Sequence, residues 1–98
     1  MIKKAAPTKT GKVRVTFELP AEAAEKEVAV AGEFNAWEPT ATPLSRLKKG
    51  TWKGTVTLDA GTSYAFRYVA DGSRWFNDEA ADDYVPNMID GDNSVVNL

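Results

Sequence analysis

An indole in a polar loop is poised for a ligand, and Trp37 is such an indole. The run Val28-Ala29-Val30-Ala31 reads as a strand that breaks at Gly32-Glu33-Phe34-Asn35 and carries the tryptophan into a loop, among Glu33, Asn35, Glu38 and Pro39. In that company the side chain makes a surface for a flat, partly apolar partner, of which a sugar ring is one. Trp75 follows closely on the turn pair Asp71-Gly72. Arg67 alternates with Tyr64, Phe66 and Tyr68, so if those three face a core, Arg67 is on the outer face of the same strand, toward the end to which the turn returns Trp75. Indole faces for the C–H side of a ring, with a guanidinium for its hydroxyls, suit a polyhydroxylated ligand.

Other chemistries are poorly supplied. The chain has neither histidine nor cysteine, which removes imidazole acid–base catalysis and thiol nucleophiles. Asp78, Glu79, Asp82 and Asp83 form an acidic cluster, but their spacing lacks the central glycine of a calcium loop, and Asp90-Gly91-Asp92-Asn93 reads equally as a turn. Paired acids for glycoside hydrolysis need a groove between them, and a small β domain is expected to offer little concave volume. No catalytic residue, metal site or cofactor is therefore expected.

The elements that must position these side chains are strands. Val13, Val15, Phe17 and Leu19 alternate with Arg14, Thr16 and Glu18 until Pro20 stops the run. Glu27 to Ala31 reads as a second strand with Val28 and Val30 inward, and 21–26 as a polar connection or a single helical turn. Trp52, Val56 and Leu58 alternate with Lys53, Thr55 and Thr57 in a third strand, in which Trp52 is expected in the core. The Tyr64 to Val69 run is a fourth, Trp75-Phe76 starts its return, and Asn93 to Leu98 closes the set; Asp78 to Asp83 is read as a polar loop. Short strands with Gly and Pro turns predict an all-β fold, an antiparallel β-sandwich.

With 98 residues there is room for one core, read as residues 12–98 behind a flexible tail over 1–11. The tail is basic but no apolar stretch follows it, so neither a secretory signal nor a membrane span is expected, and the location is read as cytoplasmic. A net charge of −2 argues against a nucleic-acid partner, which needs a concentrated basic field. Beginning at methionine and ending on a closing strand, the chain is expected to be a complete small protein.

In order and spacing, Gly32-x-Phe34-Asn35-x-Trp37, Gly50-Thr51-Trp52, the run Tyr64 to Gly72, Trp75, Tyr84-Val85-Pro86-Asn87 and Asn93-Ser94-Val95-Val96 together resemble carbohydrate-binding module family 48. That family includes the glycogen-binding domain of the AMP-activated protein kinase beta subunit and the N-terminal early-set domains of isoamylases and branching enzymes. The resemblance implies an immunoglobulin-like β-sandwich of the early-set type and non-catalytic binding of α-1,4-glucans such as glycogen, starch or maltooligosaccharides. It also implies a sugar platform made of Trp37, Arg67, Trp75 and Asn93. Arg67 stands where glycogen-binding relatives more often have lysine, which keeps the charge but presents a planar fork. A tethered glycogen-metabolising enzyme is the implied protein partner. The alternative is an accessory module of an α-amylase-family glycoside hydrolase without sugar binding of its own.

Magnitudes require both indoles. A stacked sugar that removes ~120 Å² of apolar area from water gains roughly 3 kcal/mol at about 25 cal/mol per Å². Two stacks with a few net hydrogen bonds of ~1 kcal/mol, less roughly 4 to 5 kcal/mol for association, leave ~5 kcal/mol. That corresponds to a dissociation constant from about 0.1 mM to the low millimolar range. One stack alone would bind barely measurably.

Overall fold

A computed structural model describes residues 2–87 and 91–98; Met1 of the basic tail and Asp90 of the Asp-Gly-Asp-Asn turn lie outside the described residues. The chain folds into two antiparallel sheets, the β-sandwich that the alternating runs predict and of the immunoglobulin-like kind that the family resemblance implies. The first sheet has the order β1 (Ile2–Lys4), β2 (Lys12–Leu19), β5 (Trp52–Asp59), β4 (Ser45–Arg46). In the second, β3 (Val28–Gly32), β6 (Ser63–Ala70), β9 (Gly91–Asn97) and β8 (Asp83–Asn87) lie side by side, and β7 (Arg74–Phe76) also pairs with β6.

The long strands form where one face is apolar. Val13, Val15, Phe17 and Leu19 on β2 are buried, and so is Trp52 on β5, which pairs directly with Leu19. From the other sheet come Val28, Val30, Phe66, Tyr68 and Val96. Phe17 is the aromatic centre: its ring lies 5.2 Å from Phe66 and 6.2 Å from Tyr68, both edge-on, an arrangement that matches ring edges to ring faces.

Three elements differ from expectation. Ile2–Lys4, within the segment read as a tail, pairs with β2 and places Ile2 opposite Phe17. Asp83–Asn87, begun within the segment read as a polar loop, is the edge strand β8. And β3 is buried on both faces rather than one, Ala29 and Ala31 included. The cause is chain that doubles back along it: Val30 N–H donates to the Thr42 carbonyl and Leu44 N–H to the Val28 carbonyl, each at 2.9 Å, and Ala29 bridges to Pro43. The polar connection 21–26 includes one turn of 3-10 helix, Ala21–Ala23.

The edge of β6 is shared. β9 covers it from Ser63 to Phe66 and β7 from Tyr68 to Ala70, which leaves Arg67 at the seam between them. Asp71 and Gly72 make the turn into β7, both in the left-handed region at φ of 52° and 77°.

Candidate functional site

Register puts three of the four expected residues on one surface. Trp75 pairs with Val69 on β6, two residues from Arg67, so both side chains are on the outer face of the second sheet. Ala65, of the same parity, pairs with Val95 on β9, which places Asn93 on that face as well. Trp75 is 41 % exposed and Asn93 is half-buried.

Arg67 departs from an exposed rim: it is only 9 % exposed. The seam explains this, because its Nη2 donates to the Asp92 carbonyl at 2.8 Å on the edge of β6 where neither β7 nor β9 pairs with it, Ala31 of β3 being its partner on the other edge. The guanidinium thus joins β6 to the start of β9 and presents little more than an edge to solvent. Asn93, next in the chain, accepts a hydrogen bond from Asn87 Nδ2 on β8 at 3.2 Å.

Trp37 is carried on a turn that the Gly-x-Phe-Asn sequence builds after β3, on the side of β6 opposite β7. Gly32 is required for close approach, since a Cβ there would meet the Ala65 carbonyl oxygen at 2.7 Å and Phe66 Cβ at 2.9 Å. Phe34 anchors inward as expected, its ring 6.3 Å from that of Phe17. Asn35 clamps the turn: its Oδ1 accepts from Gly32 N–H at 2.9 Å, and its Nδ2 donates to the Val30 carbonyl at 2.9 Å and to Thr42 Oγ1 at 3.0 Å. Glu33 holds the turn to β6 by accepting from Ala65 N–H at 2.6 Å. Ala36, which ends the 3-10 turn Glu33–Asn35, and Trp37 are then both left-handed, at φ of 57° and 60°, a conformation costly for a bulky side chain such as that of Trp37. Trp37 is half-buried. Pro39 and Thr40 just beyond it line, with Ala29 and Val69, a pocket of about 170 Å³ on the outer face.

The acidic cluster is dispersed into structural tasks. Asp78 is 3 % exposed; its Oδ2 accepts from the Tyr68 hydroxyl at 2.5 Å and its Oδ1 from Ala80 N–H at 2.7 Å. Burial, reinforced by this carboxylate, pushes the Tyr68 phenol far above its ordinary value. Asp82 pairs with Lys4 at 2.5 Å and accepts from Asn97 N–H, and Asp83 accepts from Tyr84 N–H. The structure does have more concave volume than expected, a cleft of about 540 Å³ between the chain at Leu19–Ala23 and that at Arg74–Ala80. Asp78 lines it with both carboxylate oxygens already engaged. Among the described residues, no group of three or more acidic side chains is placed to hold a metal ion, and no helix is long and apolar enough to cross a membrane.

Sequence reasoning passed over Asn77. It follows β7, and its Nδ2 donates to the same Asp92 carbonyl that Arg67 engages, at 2.9 Å. Nothing local marks it, because its partners are 15 and 17 residues away.

The family model described as carbohydrate-binding module 48 (isoamylase N-terminal domain) matches residues 5–85. That match takes in the Trp37 turn, the β6–β7 hairpin and the start of β8. A comparison with curated proteins finds no match.

Proposed function

Because the chain belongs to the carbohydrate-binding module 48 family, a family of non-catalytic binding modules, we propose that the outer face of its second sheet binds α-1,4-linked glucans without cleaving them. The observation that carries this reading is the alignment of exposed Trp75 with Arg67 and Asn93 on adjoining strands of one sheet. Trp75 offers an open indole face to a glucose ring, and Trp37, on the turn after β3, offers a second on the other side of β6. Asn93 supplies an amide to hydroxyls at the β9 end. Arg67 meets the sugar only with the outer edge of its fork, and its charge lies beneath the platform. The strained backbone at Ala36 and Trp37 supports the assignment, since three side-chain hydrogen bonds from Asn35 hold a conformation that the core does not need.

The module's use is to hold a partner enzyme on a glucan polymer. The test is NMR titration with maltoheptaose, following the indole N–H signals: those of Trp37 and Trp75 should shift, and that of buried Trp52 should not. Still signals at millimolar sugar would sink the reading. The family's description as an isoamylase N-terminal domain favours a second one, an accessory module that packs against a glycoside hydrolase and binds no sugar.

A further inference from the structure

Asn77 occupies the one place where β7 and β9 must be joined and are not paired. β6 gives its edge to β9 as far as Phe66 and to β7 from Tyr68 onward, so no ladder holds the two short partners together at Arg67. Two side chains converge there on one acceptor: the Asp92 carbonyl takes Arg67 Nη2 at 2.8 Å and Asn77 Nδ2 at 2.9 Å. The Asn77 amide is itself oriented, since its Oδ1 accepts from Ser94 Oγ at 2.9 Å, and that oxygen accepts from Asp78 N–H at 2.9 Å. Asp78 is fixed in turn by the Tyr68 hydroxyl, and the Tyr84 hydroxyl donates to its carbonyl at 2.5 Å. A continuous chain of hydrogen bonds thus runs from the core aromatic Tyr68, buried at its Asp78 end and exposed at its Asp92 end, to the backbone that precedes Asn93.

We propose that Asn77 is a positioning residue for glucan binding, acting through the Asp92 carbonyl to set the guanidinium of Arg67 and the peptide that leads into Asn93. The role demands an amide: one planar group must accept from a hydroxyl on one side and donate to a carbonyl on the other, which neither a carboxylate nor a hydroxyl of this reach does. Without Asn77 the 92–93 peptide stays in the β8–β9 ladder and its carbonyl keeps Arg67 as a partner, but the second donor on that carbonyl is lost, so the guanidinium and the start of Asn93 lose part of their set direction while the indoles stay in place. The proposal rests on the glucan reading and deepens it.

The experiment is a double-mutant cycle on maltoheptaose affinity, with wild type, Asn77→Ala, Arg67→Ala and the double variant, accompanied by thermal melts and by the ligand-free NMR signals of the Arg67 side-chain N–H groups. Asn77→Ala should weaken binding about three- to tenfold in the wild-type background, as one lost oriented hydrogen bond implies, and have little effect once Arg67 is gone. The Arg67 N–H signals of the free protein should move. Asn77→Asp, nearly isosteric, keeps the acceptor for Ser94 and loses the donor to Asp92, so it should weaken binding as Asn77→Ala does even if the alanine variant folds poorly. Equal losses in both backgrounds, or unchanged affinity with unmoved Arg67 signals, would overturn the positioning role while wild-type binding upheld the glucan site. Absence of any maltoheptaose response in the wild type overturns the glucan reading itself, and the role of Asn77 in it.

Discussion

Trp52→Ala should cost roughly 3 to 5 kcal/mol of stability, because its ring is 4 % exposed and paired with Leu19 inside the sandwich. Trp75→Ala should leave the melting temperature nearly unchanged and abolish retention on glycogen, since 41 % of that side chain already faces water. Melts beside affinity electrophoresis in glycogen separate the two, and equal destabilisation would make Trp75 structural. Asn35→Ala should combine the effects. It removes one acceptor and two donated bonds from the turn that carries Trp37, a loss of roughly 1 to 3 kcal/mol, and it releases the left-handed pair Ala36-Trp37, so glucan retention should fall with stability. Glycogen retention unchanged in Asn35→Ala would show that the indole's backbone pose is irrelevant to binding.

The β6–β7 hairpin is held to the rest of the sheet by Asp71, whose carboxylate accepts from the N–H groups of Lys26, Glu25 and Glu27 at 2.7 to 3.1 Å. These bonds, that from Lys26 foremost, hold the carboxyl below its ordinary value of 3.8. A carboxyl depressed on folding stabilises above the unfolded value and loses that contribution as the pH falls through the folded one. Wild type should therefore lose stability on acidification below 3.8, and Asp71→Asn should be less stable at neutral pH with a shallower acid slope; identical slopes in urea melts across that range would remove Asp71 from the account. The turn was legible from Asp71-Gly72, and β2 and β5 from strict alternation with one apolar face; β6 was legible from the alternation of Tyr64, Phe66 and Tyr68, although both its faces are buried from Phe66 to Ala70. β8 was not: its five residues carry Pro86 and none of them is buried, so the strand exists only because β9 offers an edge. The same holds at the candidate site. The loop and turn contexts of Trp37 and Trp75 single them out in the sequence, whereas the burial of Arg67 and the hydrogen bonds of Asn77 arise from a seam between β7 and β9 that no local pattern encodes.

A slab of two sheets, 38 × 37 × 22 Å, has wide faces, and the face with Trp75 lies across β6 from the turn that bears Trp37. Neighbouring strands in a sheet are rotated by roughly 20°, so a glucan lying across this face from Trp75 toward the Trp37 turn follows a twisted surface. A curved α-1,4-glucan turns successive rings through such an angle, while a flat β-1,4-glucan keeps them in a plane. Maltoheptaose should therefore bind in the high-micromolar to low-millimolar range and cellohexaose should not. A glucan is neutral, so its binding releases no counterions, and affinity for it should be nearly flat in salt, in contrast to the roughly 10³-fold or greater loss between 50 and 200 mM expected of a protein with several phosphate contacts. Chelators should leave binding unchanged. Prolonged incubation should leave the sugar intact, because Asp78 is locked between Tyr68 and Ala80 and Asp82 is paired with Lys4, so neither is presented to a glycosidic bond. Calorimetry against both sugars, with a reducing-end assay on the same samples, decides the matter. Reducing ends that accumulate with purified protein and vanish in Asp78→Asn or Asp82→Asn would establish catalysis, and equal affinity for cellohexaose would remove ring curvature as the basis of selection.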